Sequence, residues 1–215
     1  MPDQFAVDAI EDTIVETPLS KPLRVRIARY TSNILAPITV SVPFIMLVAL
    51  YHARSLMAAL GYACATLFFL SFGPMLYILL GVRLGKLSDV DVSRRTERAG
   101  PFLFGLISVT VGVFVLMYMH GPKNLETVLI STAVSGVVMM VTTLWWKISI
   151  HASSLAGAAT MLTALYGAVM LPLFVLVALV SWSRVVLRRH TVAQVVAGSL
   201  ASIALATAVL MLRGI

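Results

Sequence analysis

The sequence is poor in charged residues and in cysteine. Only 12% of its 215 residues are charged, 60% are apolar and the mean hydropathy is +0.97, which excludes a water-soluble surface. Its single cysteine, Cys64, excludes an intramolecular disulfide and a metal site built from cysteines. The composition therefore predicts a protein whose solvent is the lipid bilayer.

Several patterns that would indicate other functions are missing as well. The sequence has no Walker loop, no zinc-ligand spacing and no dinucleotide-binding glycine pattern. Its net charge of +7 is not accompanied by any nucleic-acid fold pattern, so we expect membrane lipids rather than nucleic acid as partners. We expect no metal and no cofactor, and the sequence leaves a homo-oligomer open.

Long apolar runs are what the sequence does contain. Crossing the hydrocarbon core takes about 20 apolar residues, and five runs come near this length: 33–51, 56–82, 101–119, 125–146 and 192–212. Between them they hold one charged residue, Glu126. The sequence predicts an all-α polytopic membrane helical bundle of about seven hydrophobic helices, or six if residues 152–180 form one span. Residues 1–32 are predicted to be a cytoplasmic segment with a basic juxtamembrane stretch, and residues 33–215 the membrane-embedded domain.

Residues 152–180 decide which polar segments can meet. One long span would put His151 and His190 on opposite sides of the membrane, whereas two short helices, 152–166 and 169–184, would bring them to the same side. Gly167 and Pro172 offer the break that the hairpin requires. The hairpin also places 13 of the 16 lysines and arginines on one face and 3 on the other, a stronger asymmetry than the single span gives. Since bases concentrate in cytoplasmic loops, this favours the hairpin and a cytoplasmic N-terminus and site.

Three polar segments carry residues that suit phosphate chemistry. Guanidinium groups fit phosphate oxygens in a bidentate manner, and imidazole can act as a nucleophile or a proton donor near neutral pH. The alternative is that the bases mark ordinary cytoplasmic loops and the histidines are surface residues at the interface. The segments are residues 83–100, with Lys86, Arg94, Arg95 and Arg98; residues 147–152, with Lys147, Ser149 and His151; and residues 183–191, with Arg184 and His190.

The last two segments resemble signatures of the type 2 phosphatidic acid phosphatase superfamily. Ser183-Arg184, five further residues and His190 are similar to the third signature, and Ser149-Ile-His151 is similar to the second without its proline and glycine. The resemblance extends over about residues 86–200. It implies a membrane phosphatase that needs no metal and works through a phosphohistidine.

The first signature, a lysine followed by Arg-Pro, is matched more loosely. Arg94, Arg95 and Arg98 precede Pro101, and Lys86 stands at a different spacing from the family's lysine. The sequence does not select among these arginines.

The resemblance also implies a role for each site residue. His190 would attack phosphorus and His151 would protonate the leaving oxygen. Arg184 and a first-signature arginine, Arg98 or Arg94, would hold the phosphate oxygens, with Lys147 and Ser149 as further phosphate-binding groups. The substrate would be a phosphate monoester or diphosphate of a prenyl or diacyl lipid, and the residues do not separate these.

The chain departs from the family where an aspartate would orient the nucleophile, because Gln194 stands there. Gln194 could orient His190, or it could form a capping box with Thr191 at the start of the last helix. No carboxylate follows Glu126, so any replacement must come from Asp89, Asp91 or Glu97. The alternative function is therefore a catalytically impaired relative that binds lipid phosphates or scaffolds a membrane complex. A transporter is third, because no charge lies where a midplane site would need one.

Overall fold

The structure is a bundle of helices. The computed structural model describes residues 22–51 and 55–215, without the side chain of Arg95, so the acidic N-terminal stretch lies outside the described residues. All regular structure in the described ranges is helical, which confirms the predicted fold class. The α-helices are α1 Leu23–Ile34, α2 Pro37–Tyr51, α3 Leu56–Leu67, α4 Gly73–Arg83, α5 Ala99–Tyr118, α6 Lys123–Thr143, α7 Ile150–Tyr166, α8 Leu173–Val186 and α9 Val192–Arg213.

Five of the helical segments are long and apolar enough to cross a membrane. They are Leu56–Arg83, Ala99–Tyr118, Lys123–Thr143, Ile150–Met170 and Val192–Arg213. Helices α1 and α2 together make a sixth candidate, bent by 44°, and α8 is a shorter apolar helix. These lengths and compositions are those of a polytopic membrane protein. Helix α1 also crosses the boundary at residue 32 that the sequence suggested between the two domains.

Prolines account for the irregular places in the first spans. Pro37 has no N–H to extend α1, so the chain bends before α2 begins. Pro74 likewise interrupts the run from Leu56 to Arg83, where a π-helical turn, Phe68–Phe72, joins α3 to α4. There the Ser108 hydroxyl donates to the carbonyl of Phe69 at 2.7 Å, which satisfies an acceptor that the distorted helix exposes.

The predicted hairpin between His151 and Arg184 is present. Helix α7 ends at Tyr166, and the next residue, Gly167, has a φ of +78°, which suits glycine. A 3-10 turn over Gly167–Met170 leads into α8. The backbone N–H of Ser149, just before α7, donates to the carbonyl of Gln194 near the start of α9 at 3.3 Å. The chain therefore leaves and returns at the same end of the bundle.

Helices α7 and α9 are held close together by small residues. An added Cβ at Gly198 would lie 2.7 Å from the Ser153 hydroxyl, and one at Gly157 would lie 2.9 Å from the Ser202 hydroxyl. Such spacing leaves no room for larger side chains, as expected where membrane helices pack through glycine, alanine and serine. Close packing fixes the start of α7 against the start of α9, and each of these helices begins beside a histidine.

The charged residues separate toward the two ends of the bundle. We call the first the polar end, which comprises residues 84–98, 144–151 and 183–191. At the other, the far end, Arg213 pairs with Glu126 at 2.7 Å and the Tyr62 hydroxyl donates to the carbonyl of Met119. Arg54, which the charge count put on the far side, lies outside the described residues.

Candidate functional site

Two cations tie together the segments of the polar end. Arg98, only 4% exposed, donates from Nε to the carbonyl of Val92 at 3.1 Å and from Nη1 to the carbonyl of Ile148 at 3.3 Å. Lys147 Nζ donates to the carbonyl of Ser93 at 2.9 Å. Residues 84–98 are thus bound to the turn that precedes α7, although about 50 positions separate them in sequence.

The backbone between these anchors is strained. Val92 has a φ of +46°, a left-handed conformation that a β-branched residue rarely adopts. Such a residue costs on the order of 1–3 kcal/mol and persists only where its neighbours hold it. Arg98 and Lys147 hold the carbonyls of Val92 and Ser93, so hydrogen bonds from two cations maintain the strained backbone.

Arg184 lies at the centre of the polar end and is 5% exposed. Its Nη2 forms an ion pair with Asp91 Oδ2 at 3.0 Å, and its Nη1 donates to the Ser32 hydroxyl at 3.0 Å. Its Nε is buried without a hydrogen-bond partner. Burial alone would raise the pKa of the Asp91 carboxyl, but the charges of Arg184 and His151 outweigh it and hold that pKa below its usual value.

His190 is buried at 7% exposure and faces Gln194. Its Nδ1 lies 3.3 Å from Gln194 Oε1, and the backbone N–H of Thr191 donates to the same oxygen at 3.1 Å. Because the Thr191 N–H requires an acceptor, the amide atom in this position is the oxygen, and Nδ1 must then carry the hydrogen. In the neutral imidazole this leaves Nε2 with the lone pair.

Gln194 therefore does both things that the sequence left as alternatives. The Thr191 hydroxyl accepts from the Gln194 backbone N–H at 3.3 Å, and the Gln194 side chain accepts from the Thr191 backbone N–H, which completes a capping box on α9. The same side-chain oxygen contacts His190. One amide thus joins the start of the helix to the orientation of the histidine.

The surroundings of His190 disfavour its protonated form. Burial is the main cause, and the positive charges of Lys147, Arg184 and Arg98 add to it, so the pKa of His190 falls to about 3 although the Gln194 hydrogen bond opposes the shift. The imidazole is consequently neutral across the physiological range. It has the charge state of a nucleophile.

The cations of the polar end also disfavour one another's charged forms. Burial, followed by the nearby positive charge of Arg184, lowers the pKa of Arg98, and burial with the charges of Arg98, Arg184 and Arg189 lowers the pKa of Lys147. Asp91 is the carboxylate paired with Arg184. A cluster of partly desolvated like charges is stabilised by an added anion, which is the electrostatic property of a phosphate site.

His151 lies in the first turn of α7, which begins beside the site. Ser149 is its N-cap and is fully buried, with its hydroxyl accepting from the Ala152 N–H at 3.4 Å. His151 is within electrostatic range of Arg184, Asp91 and Arg98. Ser149 therefore has a structural partner of its own, while His151 shares the environment of the buried arginines.

Arg94 and Arg98, which both precede Pro101, lie in different environments. The Arg94 side chain is 72% exposed and pairs with Glu97 at 3.5 Å, so it stands apart from the cluster. Arg98 is buried within it. The side chain of Arg95 lies outside the described residues.

Sequence reasoning missed several partners of the cluster. Ser32, which binds Arg184, comes from a helix 152 positions earlier, and the Ser93 hydroxyl accepts from Arg189 at 2.8 Å. Asp91 was considered only as a substitute partner for a histidine, whereas it pairs with Arg184. No local pattern marks Ser32, but the acidic residues within a basic loop were a usable signal for Asp91.

Together the fold and this cluster define a polytopic helical membrane protein with buried arginines and two histidines at one end. Within residues 22–51 and 55–215, no group of three His, Cys, Asp or Glu side chains is arranged to hold a metal ion. No protein-family model matches the chain, and neither the curated proteins nor the solved structures include a significant match.

Proposed function

We propose that this protein is a membrane phosphatase that hydrolyses a lipid phosphate through a phosphohistidine. The observation that carries the proposal is His190, which is neutral, buried, and held by Gln194 so that Nε2 has the lone pair. Around it lie Arg98, Arg184 and Lys147, whose charges act on its pKa. An oriented neutral imidazole beside several cations is what attack on a phosphate group requires.

In the first step, Nε2 of His190 forms a bond to phosphorus while the bond from phosphorus to the lipid oxygen breaks. His151 acts as the general acid: the negative charge of the bound phosphate favours its protonated form, and it donates that proton to the departing oxygen. The lipid leaves as an alcohol, or as a monophosphate if the substrate is a diphosphate. Arg184 and Arg98 stabilise the charge on the phosphoryl oxygens, which is the main task of a protein in this reaction.

In the second step, water attacks the phosphohistidine. His151, now neutral, takes a proton from the water, the bond between phosphorus and Nε2 breaks, and inorganic phosphate leaves. His190 gains positive charge while it carries the phosphoryl group. The Gln194 oxygen accepts its Nδ1–H but cannot neutralise that charge, so we expect a slower enzyme than one with a carboxylate in this place.

A non-catalytic lipid-phosphate binder is the second candidate, and one observation favours it. The partner of His190 is a neutral amide, and Asp91, the carboxylate of the cluster, pairs with Arg184 instead. A buried cationic cluster binds phosphate whether or not the bound group is turned over. The two functions therefore share their ligand and differ in the fate of the phosphate ester bond.

We also propose that the site opens toward the cytoplasmic leaflet and acts on a prenyl or diacyl lipid phosphate or diphosphate. The basic bias of the polar end supports this side. Trp145 and Trp146, both exposed beside Lys147, suit the interface between lipid and water. The headgroup of a lipid at this interface would meet the cluster while the acyl or prenyl chain of the lipid stayed in the bilayer.

The proposal is tested by phosphate release from purified protein in nanodiscs. Prenyl and diacyl phosphates and diphosphates are supplied in the presence of a chelator of divalent metals, and wild type is compared with His190→Ala and His151→Ala. The matched control is His120→Ala, because His120 is exposed and lies near the far end. We expect both site variants to lose at least about 100-fold in rate, the usual size of an acid–base or nucleophilic contribution, and the control to keep it.

We expect no acid-stable phosphoryl adduct, which is the kind that a hydroxyl side chain would form. Phosphoryl transfer from a labelled substrate should instead leave an acid-labile adduct that His190→Ala abolishes and His151→Ala does not. Turnover that survives His190→Ala in folded protein would disprove the mechanism. Binding of every lipid phosphate without turnover by the wild type would leave the binder as the function.

A further inference from the structure

A polar cavity adjoins the histidine site and shares Arg184 with it. Its volume is about 560 Å³, within the roughly 300–1,000 Å³ of small-molecule sites. It lies between α1, the end of α8 and residues 187–189, and neither His151 nor His190 lines it. The lining residues are Arg29, Ser32, Asn33, Asp91, Arg184, Leu187, Arg188 and Arg189.

The charge of the lining selects an anion. Four guanidinium groups face one carboxylate, and that carboxylate, Asp91, is already paired with Arg184. Arg189 is engaged with the Ser93 hydroxyl, a neutral partner. The Ser32 hydroxyl and the Asn33 amide add neutral hydrogen-bonding groups. Guanidinium groups that converge without matching carboxylates are typical of phosphate recognition.

Arg184 keeps hydrogen-bonding capacity that its protein partners leave unused. It is 5% exposed, and its Nε is buried without an acceptor although Nη1 and Nη2 are both bonded. A buried donor without a partner costs about 1–3 kcal/mol. Arg184 lines the cavity, and its protein partners leave this donor without an acceptor.

The backbone at Arg188 is an independent sign. Helix α8 ends with the N–H of Arg189 bonded to the carbonyl of Arg184 at 3.0 Å, and Arg188 has a φ of +53°. Helix ends of this kind usually place glycine in the left-handed position because any other residue is strained there. The chain has arginine instead, and its side chain lines the cavity. A charged side chain thus lines the cavity from a position where glycine would be less strained.

We propose that this cavity is a second anion site, which binds a phosphate group separately from the histidine site. The same chemistry could be supplied by an anionic lipid headgroup or by free phosphate. Helix α1 suits a headgroup, because Leu23, Ile27, Tyr30 and Ile34 are exposed apolar residues on the same helix as Arg29. A basic helix with exposed apolar residues is typical of segments that lie in the membrane interface.

The second site goes beyond the proposed phosphatase and does not require it. Arg184 belongs to both sites, so an anion in the cavity competes with Asp91 for its guanidinium and is linked to the charge around the histidines. The binding itself depends on Arg29 and Arg188, which have no part in the reaction. It therefore survives in a protein without catalytic activity.

The experiment measures phosphate binding to the His190→Ala protein, which the proposed chemistry cannot turn over. Inorganic phosphate is titrated into detergent-solubilised protein by calorimetry, and the same protein is tested in phosphatidylcholine nanodiscs with and without phosphatidic acid. Arg29→Gln is compared with Arg26→Gln, a control that removes the same charge from the same helix but does not line the cavity. Lys147→Gln reports on the histidine site.

We expect Arg29→Gln and Arg188→Gly each to weaken binding roughly three- to tenfold, the size of a charge-assisted hydrogen bond that is partly exposed. Arg26→Gln should bind like its parent. Lys147→Gln should weaken only the binding event of the histidine site and leave the affinity of the cavity lined by Arg29 and Arg188 unchanged. Arg188→Gly should also raise the melting temperature because it removes the strained φ, which shows that weaker binding does not come from unfolding. Binding in detergent would identify free phosphate as sufficient, and binding only with phosphatidic acid would identify the headgroup.

Three outcomes would overturn the proposal. These are no binding in either preparation, equal binding by Arg29→Gln and Arg26→Gln, and loss of binding in Lys147→Gln alone. The last would mean that phosphate occupies only the histidine site. Because every measurement is made without turnover, failure of hydrolysis leaves this proposal standing. Equal binding by Arg29→Gln and Arg26→Gln, or loss of binding in Lys147→Gln alone, overturns the second site and leaves the phosphatase proposal standing.

Discussion

The low pKa of His190 makes the stability of the folded protein depend on pH. The unfolded chain takes up a proton on this imidazole near pH 6.5, whereas the folded protein does so only near pH 3. Between these values the unfolded state binds more protons, so the free energy of unfolding falls as the pH falls. Each pH unit in this window is worth about 1.4 kcal/mol. By pH 5 the loss is about 2 kcal/mol, and across the full window it is on the order of 5 kcal/mol.

His190→Asn removes the titration while keeping a donor that can face the Gln194 oxygen. Wild type and variant are unfolded in a non-ionic detergent at about pH 7.5 and about pH 5. The quantity compared is the decrease in the free energy of unfolding between the two pH values. The contributions of all other titrating groups are the same in both proteins and cancel. We expect wild type to lose about 2 kcal/mol more than the variant. The exposed His120, replaced by Asn, should behave like wild type.

Parallel loss of stability in wild type and His190→Asn would refute the reasoning. It would mean that the imidazole is protonated as easily in the folded protein as in the unfolded chain. The buried cations around it would then have to be neutralised by an anion or reached by water. A direct titration of the His190 ring by NMR would give the same answer from the folded state alone.

Three further outcomes follow from the geometry. If His190 is the nucleophile, the rate should show no loss from protonation of His190 between about pH 5 and about pH 8, because its pKa lies well below that range. Gln194→Glu should keep the capping box and increase turnover several-fold. It should also raise the pKa of His190, which is measured as a shift of the acid limb of the pH–rate profile to higher pH. Gly198→Ala should lower the melting temperature and the rate together, because its Cβ would lie 2.7 Å from the Ser153 hydroxyl. At Gly136 an added Cβ would meet nothing within 4 Å, so Gly136→Ala should leave the rate unchanged and alter the free energy of unfolding by no more than about 0.5 kcal/mol.

Much of the fold followed from local patterns. Apolar runs long enough to cross a bilayer require helices, because only internal hydrogen bonds satisfy the backbone in lipid. The break at Gly167 and Pro172 was readable for the same reason that it forms, since one residue suits a left-handed turn and the other lacks an N–H.

The buried polar cluster was only partly predictable. Spacing along the chain indicated that His190 and Arg184 lie close together, because a helix end and the turn after it are neighbours by local geometry. That Arg98 rather than Arg94 contacts the turn before α7 is a tertiary feature, which spacing along the chain does not specify. The sequence suggested that Gln194 either orients His190 or caps α9, but it could not show that one oxygen does both.

The sequence by itself determined that this is a helical membrane protein with its bases gathered at one end, because both properties are sums over composition and local order. The tertiary structure decided what those bases do. Arg184 pairs with Asp91 and Ser32, from segments 93 and 152 positions away. It also decided that α1 completes a cavity with the end of α8. Contacts between distant segments depend on how helices pack, and hydropathy carries no information about which polar side chains then face one another.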